Sequence, residues 1–466
     1  MAHSITPRLR FQIHRLRQQP PLAPELGLDE VLPEATVRQV LQEEGATWKQ
    51  ILYTPWLTFW AFFWQTLSPD PSCRAALKRI AAWRGRRGQT IDTDDTSSYC
   101  KARARLPEAA LCRLMRWRGR KTHQEATVPW RWCGRRVKVV DGSTVSLPDT
   151  PANQRAYPQL GSQKPGVGFP IARIVVVFCL ATGAVLEAAI GKCQGKRTGE
   201  NTLFRSLWDE LEPEDIVLGD RYYGSYFDIA MLKQRGVDSV FRLHQRRPCD
   251  FRRGRRLGKE DQIVTWMRPP RPEWMDEATY AQIPESMAVR QVRIHVGTLG
   301  FRTRVIEIAT TLLNPQEYTK ADLGTVFRQR WHAELDLRSI KVVLGMDQLR
   351  CKTPEMVHKE IWMTLLGYNV IRALMAEAAQ VHGREPRRLS FKGALQTLVE
   401  FAPGLREGCL QERHWLRTIL LRSIAGDEVG DRPDRVEPRA RKRRPKPYPL
   451  MTKPRQQAKA ALLKAG

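Results

Sequence analysis

Cysteine is scarce in this 466-residue chain and follows no ligand pattern. Its nine cysteines include no Cys-x-x-Cys pair, and no pair of histidines stands at the spacing that zinc ligands require. The distribution argues against a structural zinc site and against a disulfide framework. It is typical of proteins that fold in a reducing cytosol.

Long apolar runs are also missing. The first 24 residues contain no apolar signal core. The strongest apolar run, residues 51–67, contains Thr54, Pro55, Thr58 and Gln65 and is shorter than the roughly 20 residues that a membrane-spanning helix needs. We therefore predict a buried helix there rather than a membrane segment, and no membrane partner.

Acidic residues are too few to balance the basic ones. The chain has 77 Lys and Arg against 49 Asp and Glu, which leaves a net charge of +28. Residues 432–466 alone contribute 12 minus 2, or +10, and residues 242–259 contribute 8 minus 1, or +7. Solvated surface charge is one explanation for such clusters. Two clusters on top of a global excess favour a nucleic acid as partner.

The hydrophobic period divides the chain into five predicted segments. Residues 1–132 have helical spacing, and 133–243 read as three strands, a helix, a strand, a helix and a strand. Residues 244–311 are β-rich, 312–426 are helical, and 427–466 form a basic tail that we expect to be disordered. The fold class is therefore α/β. The strand order suits a ribonuclease-H-like sheet, although periodicity alone permits other α/β folds.

Two acidic residues stand where predicted strands end. Asp141 follows the apolar run VKVV and precedes Gly142, and Asp220 follows IVLG. The alternatives are a hairpin turn for Asp141 and a helix N-cap for Asp220. Two carboxylates at the ends of neighbouring strands can instead converge on a divalent cation, which prefers oxygen ligands.

A third acidic residue lies in a predicted helix. Arg330, Glu334 and Lys341 are separated by four and seven residues, so they share one face of an α-helix. An ordinary ladder of ion pairs would have the same spacing. The face also offers a carboxylate for metal between two cations for phosphate. Asp336 and Glu307 are weaker candidates for a third carboxylate.

These three blocks resemble bacterial insertion-sequence transposases of the DDE class, in the family typified by insertion sequence four. The family signature is Y-x-x-R-x-x-x-E-x-x-x-x-x-x-K, and Phe327, Arg330, Glu334 and Lys341 fall on its spacing. Phe327 stands where the family usually has tyrosine, so a hydroxyl that could bond to DNA is missing. The blocks at Asp141 and Asp220 match the two other acidic motifs, and the similarity runs from about residue 97 to 375.

The resemblance implies a ribonuclease-H-like catalytic core, interrupted by the β-rich insertion and preceded by a helical domain that we expect to bind terminal inverted repeats. It implies that Asp141, Asp220 and Glu334 hold two Mg²⁺ ions, for which Mn²⁺ can substitute. Arg330, Lys341, Phe327 and Arg221 would contact DNA. A homodimer pairing two DNA ends, in the bacterial cytoplasm on the nucleoid, is the implied assembly.

In the family that this chain resembles, such an insertion contacts the transposon end and an aromatic residue can stack on a flipped base, so Trp266 and Trp274 are candidates for that role. Each could equally pack in a core. The resemblance implies a DNA transposase that cleaves transposon ends and joins them to target DNA. Two alternatives stay open: a nuclease of the same fold that cuts without joining, and a catalytically silent DNA-binding protein or repressor derived from a transposase.

Overall fold

The computed structural model describes residues 28–48, 52–86, 88–89, 95–247, 249–296, 305–430 and 449–465. The chain forms two compact units. The first consists of residues up to Lys121 together with His358–Glu428, and the second of Thr122–Val357 with the residues from Val429 onward. The five segments predicted from the sequence stay a prediction.

The described residues contain fifteen α-helices, which lie in both units. In chain order they are α1 (Glu34–Glu43), α2 (Pro55–Leu67), α3 (Cys73–Gly85), α4 (Ser97–Arg105), α5 (Glu108–Gln124), α6 (Pro151–Ala156), α7 (Glu200–Arg205), α8 (Tyr226–Gln234), α9 (Glu277–Gln282), α10 (Lys320–Gln329), α11 (Trp331–Arg338), α12 (Pro354–Val381), α13 (Phe391–Glu407), α14 (Leu410–Gly426) and α15 (Arg455–Ala465).

The first unit is helical, as the 3.6-residue period predicts. The apolar run becomes α2, whose first turn is capped by the Thr54 hydroxyl accepting from the Leu57 N–H at 3.2 Å, with Pro55 at the first helical position. Nearly every side chain of α2 is buried. Of the helices that the structure describes, none is long and apolar enough to cross a membrane.

The second unit is built on one mixed sheet of nine strands within the described residues. The strands are β1 (Val137–Ser146), β2 (Ile171–Cys179), β3 (Val185–Lys192), β4 (Ile216–Gly219), β5 (Asp238–Arg242), β6 (Arg255–Gly258), β7 (Asp261–Met267), β8 (Ser286–His295) and β9 (Val305–Thr310). The predicted order of strands and helices between residues 133 and 243 is confirmed, with α6 added between β1 and β2.

The spatial strand order is β3-β2-β1-β4-β5-β9-β8-β7-β6. Strands β1, β4 and β5 are parallel, and β2 and β3 continue antiparallel from β1. Strand β9 pairs antiparallel with β5, and β8, β7 and β6 follow it outward. The β-rich segment between residues 244 and 311 therefore extends the same sheet that carries the acidic strands.

The core of the second unit spans both parts of this sheet. Helices α7 and α8 contribute Phe204 and Ile229, while the β-rich segment contributes Trp266, Met287 and Val289, all in one buried cluster. The α/β fold class is confirmed in the form of a large mixed sheet with helices. The segment 427–466, which was expected to be disordered, contains the helix α15. Its residues 431–448 lie outside the described residues.

Candidate active site

Asp141 and Asp220 lie at the same edge of two parallel strands. Strand β1 pairs with β4 up to the register Val139 with Leu218, so Asp141 stands just past the last paired residue. Asp220 directly follows the last residue of β4. Because parallel strands end at a common edge, both carboxylates emerge at the same place.

Asp141 and Asp220 do not have the alternative roles of hairpin turn and helix N-cap. Asp141 is not in a hairpin turn, because β1 continues through it and pairs it with Val176 of β2. Asp220 does not cap a helix, because Ser225 is the N-cap of α8. The Asp220 carboxylate instead accepts the Tyr222 backbone N–H at 2.7 Å, which fixes it in the turn after β4.

The helical block is segmented where one continuous helix was predicted. Helix α10 ends at Gln329, α11 begins at Trp331, and a π-helical turn covers Ser339–Val343. Arg330, at the junction, donates from Nη2 to Glu334 Oε1 at 2.7 Å. Its Nη1 lies 4.0 Å from Asp141 Oδ2. Arg330 therefore lies between two of the three predicted acids.

Lys341 reaches β1 from the π-helical turn. Its Nζ donates to Ser143 Oγ at 3.0 Å. A π turn widens the helix locally and changes which way the following side chains point. Lys341 nevertheless lines the same cavity as Glu334, seven residues earlier, although the helix between them is irregular.

One open cavity of about 480 Å³ brings these side chains together. Acidic, basic and small apolar residues from β1, the turn after β4, and the helical block share its wall. Its lining consists of Asp141, Gly142, Ser143, Asp220, Arg330, Glu334, Leu337, Arg338, Lys341 and Val342. Arg338 is a lining cation that the sequence analysis did not single out.

The surroundings of Asp141 in the cavity raise its pKa. Burial raises the pKa of Asp141, opposed by the Gly142 N–H and the Arg330 guanidinium and aided by the negative charges of Glu334 and Asp220, and the net result is a pKa of about 6. Burial also raises the pKa of Tyr223, together with the charges of Glu200, Asp141 and Asp220. Several carboxylates thus surround one buried phenol.

Glu200 is a carboxylate beside the site that the sequence analysis did not single out. It is the first residue of α7. Its side chain lies against the backbone of Gly142, and Tyr223 Oη donates to its Oε2 at 3.4 Å. Arg173 Nε lies 3.8 Å from its Oε1. No sequence motif links Glu200 to Asp141, so only the packing of α7 on β2 and β3 reveals the contact.

The donor set suits a hard divalent cation. Asp141, Asp220 and Glu334 offer carboxylate oxygens, the ligands that Mg²⁺ prefers. Asp141 is half-buried beside two other carboxylates, a crowding of negative charge that a bound cation would relieve, and Arg330 now supplies a positive charge there. Across the described part of the chain, no three His, Cys, Asp or Glu side chains are already gathered at ligand distances.

The remaining predicted DNA contacts lie outside the cavity lining. Arg221 donates from Nη1 to Gln245 Oε1 at 2.8 Å. Phe327 is 5% exposed and lies on the buried side of α10. Among the weaker third acids, Asp336 is buried and Glu307 pairs with Arg293 at 2.6 Å. Their placement leaves Glu334 as the third carboxylate of the cavity.

Both tryptophans of the β-rich segment are packed. Trp266 is 6% exposed, belongs to the core cluster, and has the Arg247 guanidinium carbon 4.0 Å from its ring centre. Trp274 is half-buried beneath Arg205, whose guanidinium carbon lies 3.5 Å from the ring centre. Both rings are packed against other side chains of the protein, as expected if they serve in the core.

A cavity that gathers two acidic residues from a mixed sheet and a third from a helix, beside Arg330 and Lys341, is the arrangement that the resemblance to DDE transposases implies. The chain matches the family described as "Transposase DDE domain" over residues 132–370, more than half its length, and belongs to that family. The resemblance stated from the acidic blocks is thereby confirmed.

Among curated proteins, the chain is similar to the transposase InsG for insertion sequence element IS4 of Escherichia coli (strain K12). The two are 26% identical over 370 residues, which cover 77% of this chain and 78% of that protein. Among solved structures, a piggyBac transposase synaptic complex with hairpin DNA aligns with a TM-score of 0.44 at 9% identity, over 86% of this chain and 85% of that one.

Proposed function

We propose that the protein is a DNA transposase that cleaves transposon ends by metal-dependent hydrolysis and joins the freed 3′-OH to target DNA. The observation that carries this proposal is the convergence of Asp141, Asp220 and Glu334 on one open cavity. Membership of the DDE transposase family supports it.

The strand order supports a ribonuclease-H-like catalytic core. Strands β3-β2-β1-β4-β5 form the antiparallel and parallel halves of such a sheet. Its parallel edge carries the first two acids, and the helical block after the β-rich insertion carries the third. In this proposal the insertion and core share one sheet, and the helical first unit binds the terminal inverted repeats.

Asp141, Asp220 and Glu334 are the residues that would hold two Mg²⁺ ions, or Mn²⁺ in their place. Bound there, the metal would lower the pKa of an attacking water or 3′-OH and stabilise the departing oxygen. The strand positions of Asp141 and Asp220 keep both carboxylates at a fixed separation on the sheet. Arg330 Nη2 donates to Glu334 Oε1, so a metal bound by that oxygen would compete with this hydrogen bond.

The cations around the cavity suit the phosphate backbone. Released from Glu334, the Arg330 guanidinium can present two parallel N–H donors to a phosphate. Lys341, held over β1 by Ser143, adds a point charge on the same wall. Arg338 adds a further cation to the cavity wall, and the net charge of +28 favours DNA as a partner. Arg221, outside the lining, stays a predicted DNA contact.

The DNA substrate in this proposal is a pair of transposon ends followed by a target duplex, handled by a homodimer in the bacterial cytoplasm on the nucleoid. The support is the family to which the chain belongs and its basic character. The positive charge alone would bind any DNA duplex, because phosphate contacts carry no sequence information.

The test incubates the purified protein with the terminal DNA of its own element in Mg²⁺, and separates nicked and joined strands on a denaturing gel. Glu334→Gln should abolish both products and leave end binding within a few fold of wild type. Glu307→Gln is the matched control, since its carboxylate lies outside the cavity and pairs with Arg293. It should cleave and join normally.

Each other result selects a different function. Cleavage without joining by the wild-type protein would identify a nuclease. DNA binding without chemistry in every variant would identify the silent DNA-binding alternative. Unchanged cleavage by Glu334→Gln would overturn the assignment of the third acid.

A further inference from the structure

Two cysteines that are distant in sequence meet in the first unit. Cys73 is the first residue of α3, and Cys100 lies within α4. The Cys100 thiol donates to Cys73 Sγ at 3.6 Å. Both cysteines are half-buried, so neither residue is enclosed in the core.

A buried amide holds the two cysteine-bearing segments together. Gln65 of α2 donates from Nε2 to the Pro71 carbonyl at 2.7 Å, two residues before Cys73. Its Oε1 accepts from Tyr99 Oη at 2.7 Å, in the residue before Cys100, and from Arg103 at 3.2 Å. Gln65 is 4% exposed, so these bonds are shielded from water. The approach of the thiols is therefore fixed by the polar core of this unit.

We propose that Cys73 and Cys100 form an oxidative modification site, at which a glutathione-type small disulfide converts the two thiols into an intramolecular disulfide. Because the sulfurs are already 3.6 Å apart, a modest rotation of the side chains suffices to reach bonding distance.

The exchange proceeds in two balanced steps. The Cys73 thiolate attacks one sulfur of the small disulfide, the S–S bond breaks, and the displaced small thiolate leaves and takes up a proton. The Cys100 thiol then loses its proton and attacks Cys73 Sγ, which expels the second small thiol. The two protein thiols are oxidised by two electrons, and the small disulfide is reduced to two thiols.

Cys73 is the attacking sulfur. The hydrogen bond from Cys100 lowers the pKa of Cys73 to about 6, with help from the charge of Arg103 and against its burial. The position at the start of the 13-residue helix α3 also favours the thiolate. Cys100, which donates to that sulfur, is placed to act as the resolving thiol.

The disulfide would fasten the start of α3 to α4 across a sequence separation of 27 residues. Such a cross-link removes conformations from the unfolded chain, so it raises the melting temperature of the unit that contains it. The site is independent of the acidic cavity and of the proposed transposase activity.

The experiment titrates the reduced full-length protein with oxidised glutathione, quenches with an alkylating agent, and maps each cysteine by peptide mass spectrometry. The expected product is a peptide pair joined through Cys73 and Cys100, with a higher melting temperature than the reduced protein. Cys193, also half-buried but with a pKa raised by burial, is the internal control and should remain alkylatable.

Cys100→Ser separates the two steps. This variant should stop with one glutathionyl group on Cys73, since the resolving thiol is gone. The proposal is overturned if wild-type Cys73 keeps its glutathionyl group without cross-linking, or if Cys193 is oxidised before the pair. Both results are read on the wild-type chain, so they do not depend on how well the variant folds.

Discussion

The Glu200 carboxylate and the Gly142 backbone occupy adjoining space beside the first acid of the cavity. A Cβ built on Gly142 would lie 2.6 Å from Glu200 Cδ and 2.8 Å from its Oε2. Real Cβ atoms do not approach other carbons so closely. Glycine at the position after Asp141 is therefore what lets α7 bring its first-turn acid against β1.

Gly142→Ala should displace Glu200 and disturb Asp141, the neighbouring residue on β1. The displaced atoms are the far end of a flexible side chain, which can rotate away, so we expect DNA-end cleavage to fall by at most about 10-fold. Single-turnover cleavage rates measure the effect. Gly161→Ala is the matched control, since its new Cβ would meet only the Gln194 side chain at an ordinary 3.5 Å.

The double variant Gly142→Ala with Glu200→Ala extends this test. Removing the Glu200 side chain makes room for the new methyl group, so part of the lost cleavage should return. Wild-type rates in the single variant would show that the contact relaxes without moving Asp141.

Asp141→Asn should stabilise the metal-free protein at alkaline pH. The folded pKa of about 6 lies above the ordinary aspartate value of 3.8, so this group's contribution to stability is present below about pH 4 and lost as the pH rises through 6. Asparagine carries no charge to bury. We expect a gain in unfolding free energy of up to about 3 kcal/mol at pH 8 and almost none near pH 4.

Denaturant unfolding in chelator at the two pH values measures this difference. A gain of equal size at both would assign the effect to packing rather than to the ionisation of Asp141.

Trp266→Ala should destabilise the second unit. The ring is 6% exposed within the core cluster, and removing a buried tryptophan side chain typically costs about 3–5 kcal/mol. Denaturant unfolding gives the value, with Trp266→Phe as the milder comparison. Near wild-type stability together with slow end processing would instead support the predicted stacking on a flipped base.

Removing the residues after Asp431 should weaken the salt dependence of nonspecific DNA binding. The segment carries 12 Lys and Arg against 2 Asp and Glu. Each phosphate it neutralises contributes about 0.9 to the slope of log K against log salt. A full-length variant with these basic residues changed to glutamine controls for chain length. An unaltered slope in both would show that the tail does not touch DNA.

The sequence predicts those parts of the site that depend on local periodicity. Apolar runs identify β1 and β4, and parallel pairing brings Asp141 and Asp220 to one edge. The spacing of four residues between Arg330 and Glu334 predicts their contact, which forms at 2.7 Å because one helical turn separates them.

Contacts between distant segments are not encoded in any period. The pairing of β9 with β5, the approach of Glu200 to Gly142, and the meeting of Cys73 with Cys100 all depend on the packing of whole elements. The π turn from Ser339 to Val343 likewise leaves no mark in the spacing of the residues. These features are visible only in the three-dimensional structure.

The pairing of β5 with β9 makes the outer strands a spacer of fixed length. Five strand-to-strand steps separate β4, which precedes Asp220, from β6, where Arg255 and Arg256 are exposed. At about 4.8 Å a step, the separation is roughly 24 Å, or about seven base pairs of duplex at 3.4 Å each. Because hydrogen bonds join every step, a duplex gripped at β6 would meet the acids at a set offset along its axis.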